Sequence, residues 1–186
     1  PELLYRFKRI CPEVNVDLRM VDDALEPFEL LESGQTDVIF ASHQNYSCCD
    51  WIPLYNEGMY AILPKDYPLK DRETFPLEAF TGAEFLMPYG RFDMDVKAAF
   101  EPLGVRPNTQ ICRVDDETVI RMVGRGLGIS MMTELMIRGR TDDVLCVPVE
   151  PGAMREMGMG THVKRELSPS IQLLKDCMLE YIRDRA

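Results

Sequence analysis

The chain has 186 residues, with 31 acidic against 21 basic side chains and a net charge of −10. A hydrophobic share of 46% beside 28% charged residues is ordinary globular composition, enough to bury a core. The acidic balance argues against direct binding of this segment to a nucleic-acid backbone, and no apolar run approaches the roughly 20 residues that span a bilayer.

In chain order, Leu3, Leu4, Phe7, Ile10 and Cys11 recur at helical spacing, and Pro12 closes that helix. Val14, Val16, Leu18 and Met20 alternate with polar residues, which predicts a strand with one buried face. Asp22 and Asp23 are placed to cap a helix through Leu31, with Pro27 in its first turn and Gly34 at its end. Residues 37–41 (DVIFA) read as a short buried parallel strand. Residues 51–55 and 58–64 read as two extended pieces linked by Asn56 and Glu57, and 64–69 as a proline-rich hinge.

A second α/β set follows. A helical turn is predicted at 76–80, a strand at 84–87, a helix at 93–103 ended by Gly104, and a strand at 109–114. The stretch DDETVIRMVGRGLGIS, beginning at Asp115, then reads as a helix capped by Asp115 or Asp116, a glycine stop and a strand over 127–132. Val119, Ile120 and Val123 form its apolar face, while Gly124 and Gly126 are expected to supply positive φ. A phosphate loop needs glycines between a strand and the start of a helix; here the helix comes first, which favours the helix-stop reading over that one. A strand at 144–148, a turn at Pro151-Gly152, a segment at 155–163 and a long helix started by Ser168-Pro169 complete the chain.

Six cysteines are scattered, and free buried thiols in a reducing cytoplasm are expected. Cys48 and Cys49 are the exception, adjacent in a polar loop where redox chemistry is an open alternative; no Cys-x-x-Cys spacing points to zinc. With two histidines, no Gly-x-Ser-x-Gly and no His-Glu-x-x-His, no catalytic set is assembled, and neither an enzyme, a metal site nor a cofactor is expected. Met131, Met132 and the other methionines (12 in all) are expected to fill core gaps.

Several segments in order resemble the effector-binding domain of LysR-type transcriptional regulators: LLYRF and CPEV near the start, LLESGQTDVIF from Leu30, PLYNEGMYAILP from Pro53, MVGRGLGI from Met122 and LSPSI from Leu167. The resemblance covers nearly the whole chain. It implies an α/β, periplasmic-binding-protein-like fold of type 2, with two Rossmann-like lobes joined by two crossing strands and an effector cleft between them. Lobe I is assigned to 1–63 and 157–186, lobe II to 64–156. Because Pro1 opens inside a helical pattern, a fragment is expected, with the family's first strand and its DNA-binding winged helix-turn-helix upstream. Thr133 departs from the family's usual proline, so the turn there is expected to differ. The implied function is ligand sensing in the cytoplasm, by a homodimer or tetramer whose DNA contact belongs to the upstream domain. A transporter's solute-binding protein is the alternative.

Ligands of open α/β sheets settle beyond the carboxyl ends of the strands. That rule marks the loops at 22–24, 41–43, 87–91 and 115–117. The family's pocket positions fall there too, on Asp23, Ala24, Ser42, Met87, Pro88, Tyr89 and Asp115, with Met159 and Gly160 as a floor. His43 is added as a loop histidine able to contact ligand or solvent, and Arg91 as either a bidentate partner for an anionic effector or a solvated surface arginine. Asp115 can cap its helix, face a ligand, or do both.

Overall fold

The structure, a computed structural model, describes residues 2–21, 23–69, 73–88 and 93–184. The backbone divides into two compact units, residues 1–55 with 156–186 and residues 56–155. Two strands run from one unit into the other: β2 (Cys49–Pro64) and β8 (Met154–His162).

In the first unit, α1 (Glu2–Ile10) and α6 (Pro169–Arg183) pack through Phe7, Leu174 and Cys177, with Leu3, Cys11, Val14 and Val16 against them. Ser168 accepts the Ile171 N–H at 3.4 Å and Pro169 occupies the first turn, the arrangement a proline tolerates because that N–H has no helical partner. A second helix, α2 (Glu26–Ser33), buries Phe28 and Leu31 against Ile39 and stops at Gly34 with φ 76°. Here β1 (Val38–Ser42) pairs antiparallel with β8, and the sheet order is β1-β8-β2.

The second unit is built on the C-terminal half of β2, which pairs antiparallel with both β6 (Ser130–Thr133) and β7 (Val144–Glu150). Beyond β7 lies β3 (Phe75–Pro76), paired parallel; β4 (Glu84–Pro88) and β5 (Asn108–Cys112) form a separate parallel pair. Three helices complete it: α3 (Asp93–Phe100), α4 (Asp116–Gly124) and the single turn α5 (Glu134–Ile137). Phe75, Phe80, Phe85 and Phe100 meet with ring centroids 5.0–5.5 Å apart, mostly edge to face, the geometry that aromatic quadrupoles favour. On the other side, Val119, Ile120 and Val123 of α4 pack on Ile62, Leu86 and Met132.

Several expectations need correction. Residues 14–20 form no strand among the described residues, and Leu18 and Met20 are 70% and 79% exposed. Alternation marks a face, but a strand also needs a neighbour's backbone, and here only Val14 and Val16 are drawn into the α1–α6 cluster. The 38–42 strand is antiparallel rather than parallel, with Phe40 47% exposed. Its own residues carry no direction; the partner β8 sets it. Residues 51–64 belong to one continuous strand rather than two. Only Gly126 of the expected pair has positive φ, at 75°, since Gly124 is the last residue of α4. The strand expected from Leu127 begins at Ser130, leaving Leu127 exposed.

Gly158 and Gly160 alternate on β8, so both lie on one face of that strand. A Cβ at Gly158 would overlap the Trp51 ring, and one at Gly160 would lie 2.5 Å from Cys49 Sγ and 2.7 Å from Ile39 Cγ1. The side chains of β1 and β2 fill the space these glycines leave. Replacing Gly160 with alanine is expected to destabilise the chain by about 1–3 kcal/mol through overpacking, read as a lower urea midpoint at unchanged slope.

Candidate functional site

Expected site residues fall in both units; Ser42 and Pro88 end strands, whereas Asp23 and Ala24 lead into α2 with no strand before them among the described residues, contrary to the expected strand at 14–20. In the first unit, Asp23 is exposed and its Oδ1 accepts the N–H groups of Leu25 and Glu26 at 2.7 and 3.2 Å, closing the turn into α2; Ala24 is buried beside it. Ser42 ends β1 opposite Met157, and the backbone N–H of His43 donates to the Glu156 carbonyl at 2.8 Å. The His43 ring lies 5.2 Å from the Trp51 ring, and Trp51 Nε1 donates to Glu156 Oε1 at 2.8 Å. Trp51 in turn faces Phe28 at 6.3 Å, and Phe28 stacks on Tyr46 at 5.3 Å. His43 therefore rests on an aromatic cluster whose polar end is a carboxylate. Met159 is fully buried, and Gly160 is packed against Cys49 and Ile39 inside the sheet.

In the second unit, Met87 and Pro88 end β4 and are buried; Pro88 pairs in register with Cys112 at the end of β5. Two residues later in the chain than Arg113 stands Asp115, the N-cap of α4, whose Oδ1 accepts the Thr118 N–H at 2.8 Å. Tyr89 and Arg91 lie outside the described residues.

Two groups escaped the sequence reading. Trp51 and Glu156 form one; its signal was the lone tryptophan of the chain, next to a histidine loop. The other is a buried ionic network in the second unit. Arg155 donates to Glu57 Oε2 at 2.8 Å, to Asp95 Oδ2 at 3.4 Å and to the Thr133 hydroxyl at 3.4 Å. Glu57 Oε1 accepts the Leu135 N–H at 2.7 Å. No local pattern signalled it, because Glu57 follows Asn56 and Arg155 precedes Glu156, so both read as polar strand positions. Thr133, the departure from proline, is buried at the start of α5, whose N-terminal N–H is satisfied by Glu57 rather than by the threonine itself.

All six cysteines are free thiols. Burial raises the pKa of Cys48, and burial followed by the neighbouring Cys48 pushes Cys49 up to about 11. Both shifts disfavour the thiolate, the form of cysteine that acts as a nucleophile. Among the described residues, no group of three His, Cys, Asp or Glu side chains is placed to hold a metal ion. No described helix is long and apolar enough to cross a membrane.

Asp115 has its pKa lowered, chiefly by the Thr118 backbone N–H, with the Thr118 side chain adding to it. A carboxylate with a depressed folded pKa stabilises the fold above its unfolded value and loses that contribution as pH falls through the folded value. Asp115→Ala is therefore expected to lower the urea midpoint at pH 7, with the gap from the parent chain closing as pH drops below the ordinary aspartate value of 3.8. A gap that stays constant with pH would rule out the cap as its source.

The chain matches the LysR substrate binding domain family over residues 1–183. The uncharacterized HTH-type transcriptional regulator YybE of Bacillus subtilis (strain 168) is 25% identical over 187 residues, covering 99% of this chain and 64% of that protein. The chain thus spans less than two thirds of that relative's length. The CcmR regulatory domain of Synechocystis PCC6803 in complex with 2-PG superposes with a TM-score of 0.86 at 17% identity, covering 99% of this chain and 91% of that one. The BenM effector binding domain with its effector benzoate gives 0.85 at 18% identity, covering 100% and 86%. The fold is therefore that of LysR effector-binding domains, an α/β fold of the type 2 periplasmic-binding-protein kind.

Proposed function

This chain belongs to the LysR substrate binding domain family, and from that premise we propose that it senses a small-molecule effector for a transcriptional regulator of the LysR type. The observation that carries the reading is the family match, which runs from residue 1 to 183 and takes in both compact units. It speaks for regulation rather than for transport or catalysis. The DNA contact is assigned to a separate domain of the full-length regulator, in keeping with the acidic balance of this one. We place the whole in the cytoplasm.

The effector contacts are assigned to Asp23, Ala24, Ser42, His43, Met159 and Gly160 of the first unit and to Met87, Pro88, Tyr89, Arg91 and Asp115 of the second, each set taken by itself. An effector acts only through different affinities for two conformations of the chain. Taking an evenly divided population to ten to one requires about 1.4 kcal/mol, within reach of one bidentate arginine–carboxylate pair. Arg91 is assigned that role toward an anionic effector. Thermal-shift screening of small carboxylates, beginning with benzoate and 2-PG, is expected to find at least one that stabilises the chain. Arg91→Ala should then weaken that binding about tenfold or more; unchanged affinity would remove Arg91 from the site, and a screen without hits among broad metabolite classes would count against sensing.

Self-association is the second part of the proposal. The exposed apolar side chains of Tyr5, Ile10, Leu18 and Met20 support a face on the first unit, and Leu103 and Ile111 one on the second. An antiparallel dimer would set the first face of one copy on the second face of the other, satisfying both at once. Sedimentation is expected to find dimers at micromolar concentration, with Leu18→Glu shifting them to monomer; monomer alone at high concentration would overturn this arrangement.

A further inference from the structure

Two consecutive residues of β8 are held by two unlike sets of bonds. Arg155, the last residue of the 56–155 unit, reaches Glu57 on β2, Asp95 on α3 and Thr133 at the end of β6. The three charged side chains are only 13%, 2% and 9% exposed. Glu156, the first residue of the other unit, accepts the His43 N–H on its carbonyl and the Trp51 indole N–H on its carboxylate, each at 2.8 Å. One peptide bond separates the two sets, and alternation along a strand sends the two side chains to opposite faces.

The ionic set is an expensive way to fill space. Two acids face one guanidinium in a nearly dry site, and well-packed apolar residues often serve stability as well or better. What the charges supply is direction. A guanidinium is a planar fork that accepts few orientations, and Glu57 is itself fixed by the Leu135 N–H. Five elements, β2, α3, β6, α5 and β8, thereby determine where residue 155 sits.

We infer that Arg155 is a positioning residue: its pairing with Glu57 and Asp95 fixes the 155–156 peptide and so holds Glu156 where it binds Trp51 and the His43 backbone. The inference is independent of the identity of any effector. It assigns to a network in one unit control over the aromatic platform under His43 in the other, through the chain itself.

The chain's single tryptophan makes the test direct, because Trp51 gives one indole N–H resonance. In Asp95→Asn and Glu57→Gln variants of the 186-residue chain, that resonance is expected to shift, and the His43 amide to exchange about tenfold or more faster. Ser130→Ala is the control: it removes the buried 2.7 Å bond from Ser130 Oγ to the Leu86 carbonyl in the same unit, a bond in which neither Arg155, Glu57 nor Asp95 takes part. It is expected to lower stability while leaving both signals in place. If Glu57→Gln does not fold, Asp95→Asn, at the longer contact, carries the test alone. An unmoved indole resonance and unchanged His43 exchange in the folded network variants would overturn the inference, and so would equal changes in Ser130→Ala.

Discussion

A single strand has to serve two cores. Over its 16 residues β2 begins in one compact unit and ends in the other, and the packing of each follows from its side-chain alternation. Beyond Glu57, Met59, Ala61 and Leu63 enter the phenylalanine cluster, while Tyr60 and Ile62 turn to the cluster under α4. Both faces are covered there, so the run MYAIL has no polar side to show. Ahead of Glu57 the same strand carries Trp51 and Cys49 into the space left by two glycines of β8. A one-residue slip of β2 would exchange the two clusters and drive Trp51 off its glycine seat, so register is specified at both ends of the strand.

This two-core duty explains which parts of the fold were legible. Helices announce their ends with local chemistry, and those of α1, α2, α4 and α6 were readable from Pro12, Gly34, Asp115 and Ser168-Pro169. Strand partners and directions are set by residues far away in sequence. The segment VIFA of β1 looks equally good in a parallel or an antiparallel ladder, and only β8 decides. The alternation at 14–20 was real in the sequence, yet Val14 and Val16 are satisfied by helix α1 and α6 side chains instead of a ladder. Asn56 and Glu57 looked like a polar break because the partners of the Glu57 carboxylate, the Leu135 N–H and the Arg155 guanidinium, lie 78 and 98 positions away.

The same logic sorts the site residues. Asp115 and Asp23 were legible because a capping carboxylate acts on amides two or three positions on, within the reach of a local pattern. The place of Ser42 and His43 at the end of β1 was legible from the apolar run before them. The partners that hold them were not, since Trp51 and Glu156 meet across 105 positions of sequence. Glu156 also marks where sequence reasoning meets its physical limit: nothing in MREMGMG distinguishes a strand glutamate facing solvent from one that orients an indole.

The polar groups at the starts of α2 and α4 are already engaged, and this bears on what they can recognise. A helix N-terminus ordinarily attracts an anion through its free amides and its dipole. At α4 the Asp115 carboxylate occupies that position, with its ionised form favoured by the very amide an anion would seek. At the start of α2, Asp23 does the same to the amides of Leu25 and Glu26. Both helix starts thus already hold a carboxylate on their own amides, which disfavours a second anion at those amides. An anion at either helix start would therefore need a side-chain cation beside it, the role proposed above for Arg91. A hydroxylated or cationic effector needs no such residue: it can donate to the remaining lone pairs of Asp23 and Asp115.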